Sequence, residues 1–414
     1  MTASARTLAA AGALVVVLGL LAQRAAPRVN HPGHVDPAHW VLQDFRDAVY
    51  YPVVAFLHGR NPYDQAAQAQ AYPVGQAFPP YLPLTLVAHL PFGLVPHAEA
   101  DVLYVVAVLG LTAAIAALAL GGAGAPVTAA AMLGLTALLL VSRPGHMNLL
   151  LGQVAAQVVI GTYVALRWAR TRPLLAGMGL ALATLKPTYG VPLALLMLFG
   201  RGDLGAVAAG VALSGALCLA ALVPLAHAAG GFAPFVVSLG GSATAFATEQ
   251  TSNAWSSFAR IDVVALAARV LGRVPDTWME VGLGATVTVA GVIGLRRLRG
   301  ADDPSSVQLG VGLVCLTLLI GTYHQAYDAL LLAQPAVALA AGSWGRGVAA
   351  PRALRWTVLA LLAVPAVNYL ATGTMVSEMT VGGPAWLAVT AANPAALLAA
   401  WAIHLGVACR RTER

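Results

Sequence analysis

Charge is what this chain has least of. Its 414 residues include 23 Lys plus Arg and 16 Asp plus Glu, too few to coat a soluble surface of this size. Lysine is nearly absent: Lys186 stands alone. Cys218, Cys315 and Cys409 are far apart and sit in or beside apolar stretches, so neither a disulfide framework nor a metal spacing can be built from them. The apolar runs show no period-2 alternation, which excludes a β-barrel. No P-loop, dinucleotide fingerprint or His-Glu-x-x-His motif occurs, which disfavours a substrate bound as a nucleotide. The net charge of +7 lies mostly in short arginine clusters between apolar spans and does not point to nucleic acid.

What is there is apolar. A mean hydropathy of +0.77 over the whole length gives an all-α polytopic membrane protein, read as a single integral membrane domain over 1–414. Candidate spans fall at 7–22, 101–120, 126–141, 148–166, 204–226, 278–295, 306–322, 328–345, 356–372 and 386–408. Arg6 ahead of the first run gives it the look of a secretory signal, but the run reads better as an uncleaved first helix. The stretch 81–95 contains Pro83 and Pro91 and reads as re-entrant or interfacial.

Basic loops set the topology. Arg167, Arg170 and Arg172, Arg201, Arg296, Arg297 and Arg299, Arg346, Arg352 and Arg355, and Arg410, Arg411 and Arg414 should all be cytoplasmic. For Arg172 and Arg201 both to lie inside, 173–199 must cross out and return, as two half-helices meeting at Lys186-Pro187. Both termini are then cytoplasmic, with about twelve helical segments in total. The polar loops 23–80, 142–148, 227–260, 321–328 and the shorter 373–385 share the outer face of what reads as a plasma-membrane protein.

Loop 23–80 holds Asp44 and Asp47 at i, i+3, one helical face, with Tyr51 at i+7 before Pro52. A carboxylate at a membrane surface can serve as a general base; a solvated amphipathic helix would look the same. Asn61-Pro-Tyr63-Asp64 is a turn by its chemistry, followed by Phe78-Pro-Pro-Tyr81, a stiff entry to an apolar segment. An intramembrane charge such as Lys186 faces a pocket or pairs with an acid across the bundle; both readings stay open. Arg143-Pro-Gly-His146-Met-Asn148, with Gly152-Gln153, offers donors at a helix N-terminus. His324 and Asp328 at i, i+4 suit structural pairing better than a metal site. Thr251-Ser-Asn253-Ala-Trp255 to Arg260 combines hydroxyls, an amide, an aromatic and a guanidinium, an inventory for sugar hydroxyls and an anionic head.

Asp44-Phe-Arg, Tyr50-Tyr51-Pro52, Gly59-Arg-Asn-Pro-Tyr-Asp64, Pro79-Pro80-Tyr81-Leu-Pro, Pro91-Phe92, Gly152-Gln153 and Lys186-Pro187 follow one another in an order that resembles glycosyltransferase family 87. This family belongs to the GT-C superfamily and includes α-mannosyltransferases acting on phosphatidylinositol mannosides. The likeness covers most of 40–200, with weaker matches at 252–260 and 324–328. The resemblance implies a GT-C-like bundle of about 10–13 transmembrane helices with juxtamembrane helices in its first outer loop. It implies an inverting membrane glycosyltransferase that moves a sugar, mannose above all, from a polyprenyl-phosphate carrier to a glycolipid or cell-envelope glycan. Its general base maps onto Asp44, with Asp47 as the rival acid. Lys186, Arg260 or Arg143 would hold the donor phosphate. Tyr51, Tyr63, Asn61, Gln153, Asn253, Trp255, His324 and Asp328 would contact sugar or acceptor. No cofactor is required, although a divalent metal is compatible. The partners implied are the lipid-linked donor, the acceptor and the bilayer. A transporter or flippase is the alternative, since Lys186-Pro187 resembles the broken helices of transporters, but no matching break follows residue 204.

Overall fold

The computed structural model describes residues 2–29, 39–77, 79–249, 252–301, 303–344 and 351–410. Phe78, Thr251, Arg346, Arg411 and Arg414, named above, lie outside the described residues. Every regular element among the described residues is helical. In chain order these are α1 (Ala3–Ala25), α2 (Gln43–Phe45), α3 (Tyr51–Leu57), α4 (Gln65–Ala71), α5 (Leu84–Ala88), α6 (Leu90–Gly93) and α7 (His97–Gly122). Next come α8 (Ala129–Val141), α9 (Arg143–Leu151), α10 (Ala155–Trp168), α11 (Pro173–Ala183), α12 (Pro187–Leu195), α13 (Leu204–Ala228) and α14 (Phe232–Thr248). The last group is α15 (Val263–Leu271), α16 (Thr277–Arg297), α17 (Pro304–Gly321), α18 (Ala333–Ala341), α19 (Arg352–Val367), α20 (Gly373–Val376) and α21 (Pro384–Arg410).

This is a polytopic all-α membrane protein. Six of its described helices, α1, α7, α13, α16, α17 and α21, are long and apolar enough to cross a bilayer unaided. The other expected spans are shorter or broken. The stretch 148–166 divides at Gly152 into α9 and α10, and 328–345 starts with a 3₁₀ segment, Ala326–Leu332, before α18. Residues 227–260, read as a polar loop, instead contain the 17-residue α14. Its glycine pair Gly240-Gly241 and its run of Ser and Thr weaken the helical signal.

Two sets of contacts define two ends of the bundle. At one end the Arg201 guanidinium donates to the Leu166 carbonyl (3.1 Å), Arg296 to Phe199 (2.8 Å) and the Gln308 amide to Gly122 (2.6 Å). At the other, residues from α1, α2, α9, α12 and the Tyr323–Asp328 segment surround one cavity. The broken pair follows from this: α11 leaves the arginine end, reverses at Lys186-Pro187, and α12 returns to Arg201. Pro187 has no N–H to donate and presets the first turn of α12. α17 runs through the middle, buried along almost its whole length.

Small residues let the helices meet closely. A Cβ on Gly161 of α10 would come within 2.5 Å of the Gly179 carbonyl oxygen on α11. Close backbone approach of this kind holds apolar helices together where no hydrophobic driving force separates protein from lipid. Gly161→Val should therefore cost about 1–3 kcal/mol through overpacking, read as a lowered thermal unfolding midpoint in detergent. Gly215→Val, at a position with nothing within 4 Å of its Cβ direction, should leave the midpoint unchanged.

Candidate functional site

The site begins at a turn. α9 ends at Gly152, whose φ of +75° is the left-handed geometry of a glycine cap. A Cβ there would sit 2.6 Å from Cβ of Phe45, so only glycine lets α2 dock this closely. The dock is sealed by the Leu42 N–H donating to the Leu150 carbonyl at 2.7 Å. Leu42 has φ 60°, the one non-glycine residue with positive φ among the described residues, at a cost of roughly 1–2 kcal/mol. This strain sits two residues from Asp44, where such strain tends to accompany function.

The docked turn hands Gln153 to Asp44. The Tyr81 hydroxyl donates to Gln153 Oε1 (3.3 Å), and the Gln153 amide donates to Asp44 Oδ2. Fixing the amide in this way leaves the other oxygen of Asp44 for the cavity. That cavity, about 440 Å³, is lined by Asp44, Gln153 and Tyr81 together with Lys186, Asp328 and Arg143. Burial pushes the Asp44 pKa up to about 6; the Gln153 bond and Lys186 pull it down, and Asp47 and Glu249 push it further up. A carboxylate so placed is a stronger base than an exposed one and remains ionised near neutrality.

Asp47 does not share the face. Residues Arg46–Tyr50 form a π turn, with the Tyr51 N–H bonded to the Arg46 carbonyl. This i→i+5 spacing gives each residue less rotation than the α-helical i, i+3 counting assumes. Asp47 therefore turns away, pairs with Arg46 Nε at 2.9 Å and accepts from the Gly75 and Gln76 N–H groups, each at 2.9 Å. It pins the loop that brings Gln76 to the cavity. Tyr51 is likewise carried off the expected face and stacks on Tyr72 and His97.

Lys186 caps α12 in an extended conformation and reaches the other side of the cavity. Its Nζ lies 2.9 Å from Asp328 Oδ1 and 4.3 Å from the centre of the Tyr327 ring. Asp328 also accepts from the Gln325 N–H (3.0 Å) and, through its carbonyl, from the Tyr189 hydroxyl (3.1 Å). Lys186 thus both faces a pocket and pairs with an acid. Arg143 is different. It is 0% exposed, its Nη2 donates to the Ala371 carbonyl, and its Nε and Nη1 have no hydrogen-bond partner among the described residues. Arg24, His146 and Tyr369 line the same part of the cavity.

The remaining expected residues do not line the cavity. Arg260 is fully engaged: Nε and Nη2 grip Asp262 at 2.9 Å each, and Nη1 donates to the Ser252 carbonyl at 2.8 Å. Tyr63 is buried against Phe235 and donates to the Tyr81 carbonyl (3.0 Å), so it supports the Tyr81 loop. Asn61 and Asn253 spend their side-chain oxygens on the backbone of their own turns, as Asx residues do. Trp255 packs on Trp386. His324 stands edge-on to Tyr189, its Nδ1 near the Thr322 carbonyl at 3.1 Å. Among the described residues no three His, Cys, Asp or Glu side chains gather to hold a metal ion.

Sequence reasoning passed over Arg24, Glu249, Tyr327 and Tyr369, all of which line the cavity. Arg24 carried a signal: it ends the first span on the side opposite the other arginine clusters, contrary to the usual bias.

A model of glycosyltransferase family 87 matches residues 78–322. No curated protein and no solved structure gives a significant match.

The ion pair makes a test independent of activity. Asp328→Asn keeps the Gln325 cap but leaves the Lys186 ammonium buried without an acid. The expected loss is about 3–5 kcal/mol, read by thermal unfolding; the double substitution Lys186→Met with Asp328→Leu should lose less, because neither charge is stranded.

Proposed function

The chain belongs to glycosyltransferase family 87 and is a membrane glycosyltransferase, and we propose that it transfers mannose or a related sugar from a polyprenyl-phosphate carrier to a glycolipid or cell-envelope glycan on the outer face. Asp44 is the general base in this reading. The observation that carries it is a raised-pKa carboxylate with one oxygen held by Gln153, in the same cavity as an arginine with two unpaired nitrogens.

The acceptor hydroxyl attacks the anomeric carbon as Asp44 takes its proton. The bond from that carbon to the phosphate oxygen breaks, and the electron pair leaves with the polyprenyl phosphate. Attack opposite the leaving group inverts the anomeric centre. Charge gathers on the departing phosphate, and a cation held beforehand in a poorly solvated site stabilises it best. Arg143 suits that task, with Arg24 beside it. Lys186, already neutralised by Asp328, orients that acid and Tyr327 and lends its field to Asp44. Arg260 supports the fold of the 252–262 segment, and Asp47 positions Gln76. The acceptor would meet the polar side of the cavity, at Gln153, Gln325 and Asp328.

Transfer from polyprenyl-phosphate mannose to a mixed envelope-lipid extract, with the protein in liposomes, tests the reaction. Asp44→Asn should reduce turnover by roughly 10²–10⁴, and full activity in that variant would remove Asp44 as the base. Because the base works ionised, kcat/KM should fall tenfold per pH unit below about 6 and level off above it. Arg143→Gln should weaken donor turnover, whereas Arg260→Gln should appear mainly as lost stability.

A further inference from the structure

The arginine end holds a second cavity, of about 370 Å³, formed where α7, α10, α16 and α17 converge. Four arginines line it: Arg167, Arg170, Arg201 and Arg299. Asp203 answers two of them: it binds Arg201 Nε at 2.6 Å and lies 3.7 Å from Arg170 Nε. Arg167 and Arg299 have no ion-pair partner among the described residues; Arg167 lies 5.3 Å from the Trp168 ring centre.

Space for these groups is built in. A Cβ on Gly202, whose φ is +76°, would lie 1.9 Å from Arg299 Nη2, so the guanidinium rests where a side chain would be. Below the arginines the polar floor is already satisfied. Gln308 donates to the Gly122 carbonyl at 2.6 Å, Gln334 to Gln308 at 3.3 Å, and the Gln334 N–H to the Tyr163 hydroxyl at 2.9 Å. The walls are apolar, with Leu166, Leu295 and Leu298. A bias of basic residues toward one side of the membrane requires only their presence in loops. It does not require three separate connections to place arginines around one cavity.

We propose that this cavity binds a phosphate-ester anion. Guanidinium forks match phosphate oxygens two at a time, and a basic pocket between helices at the membrane boundary suits a phospholipid head group as well as a free phosphate. The site is independent of the glycosyl-transfer reading, since it lies at the end of the bundle away from Asp44.

The test uses the full chain purified in neutral detergent. Native mass spectrometry counts bound phosphatidylglycerol against phosphatidylcholine, and thermal unfolding is followed with inorganic phosphate against chloride at equal ionic strength. Preferential phosphatidylglycerol binding, weakened about tenfold in Arg167→Gln with Arg299→Gln, supports the site with a lipid as its source. Stabilisation by inorganic phosphate that the double variant loses supports it with a soluble source. Arg299→Lys should fall between, keeping charge and losing the fork. Equal binding of the two lipids without phosphate stabilisation, or a preference unchanged in the double variant, overturns the proposal.

Discussion

The hydrogen bond from Gln153 to Asp44 is the contact on which the site depends. A carboxylate among apolar helices is held in one orientation only if a donor spends its own freedom to hold it. Tyr81 fixes the Gln153 amide, Gly152 turns it into place, and Leu42 accepts a left-handed backbone so that α2 can lie against that turn. Removing any one of these loosens the same oxygen. The strain at Leu42 and the π turn after it are local costs that the tight dock of Phe45 on Gly152 offsets.

Buried cations around the cavity are sorted by whether their charge is spent. Lys186 and Arg260 each have a carboxylate at 2.9 Å, so a ligand would have to displace an acid to use either fully. Arg143 has only a carbonyl. Two buried nitrogens, Nε and Nη1, left without partners among the described residues cost roughly 1–3 kcal/mol each, a cost that an anion brought against them would recover. Of the three cations, Arg143 is therefore the one whose donors are least committed to the protein.

Much of this architecture was legible in the sequence. The spans followed from apolar runs, and the reversal at Lys186-Pro187 followed from arginines on both flanks of a stretch too long for one half-helix and interrupted by proline. The choice between Asp44 and Asp47 was not legible, because i, i+3 counting assumes an α-helix and a π turn intervenes. Nor could composition separate an asparagine that reads a substrate from one that closes its own turn, as Asn61 and Asn253 do. Arg24 was readable as an exception to charge bias, and α14 was hidden by its glycines and its hydroxyl residues.

Depth along the bundle connects the site to its substrate class. α10, with 14 residues, is roughly 21 Å long, and α11, with 11, roughly 16 Å. Both run from the arginine end to the cavity, and neither reaches the ~30 Å of a hydrocarbon core. If the arginine end lies at one membrane surface, Gln153 and Lys186 lie short of the other, and the cavity is recessed into the bilayer's far half. A soluble sugar nucleotide would have to descend to such a site without water around its phosphates. The polyprenyl-phosphate donor proposed above would rest with its phosphate at the headgroup level and its chain in lipid, so only its polar end would have to enter the cavity.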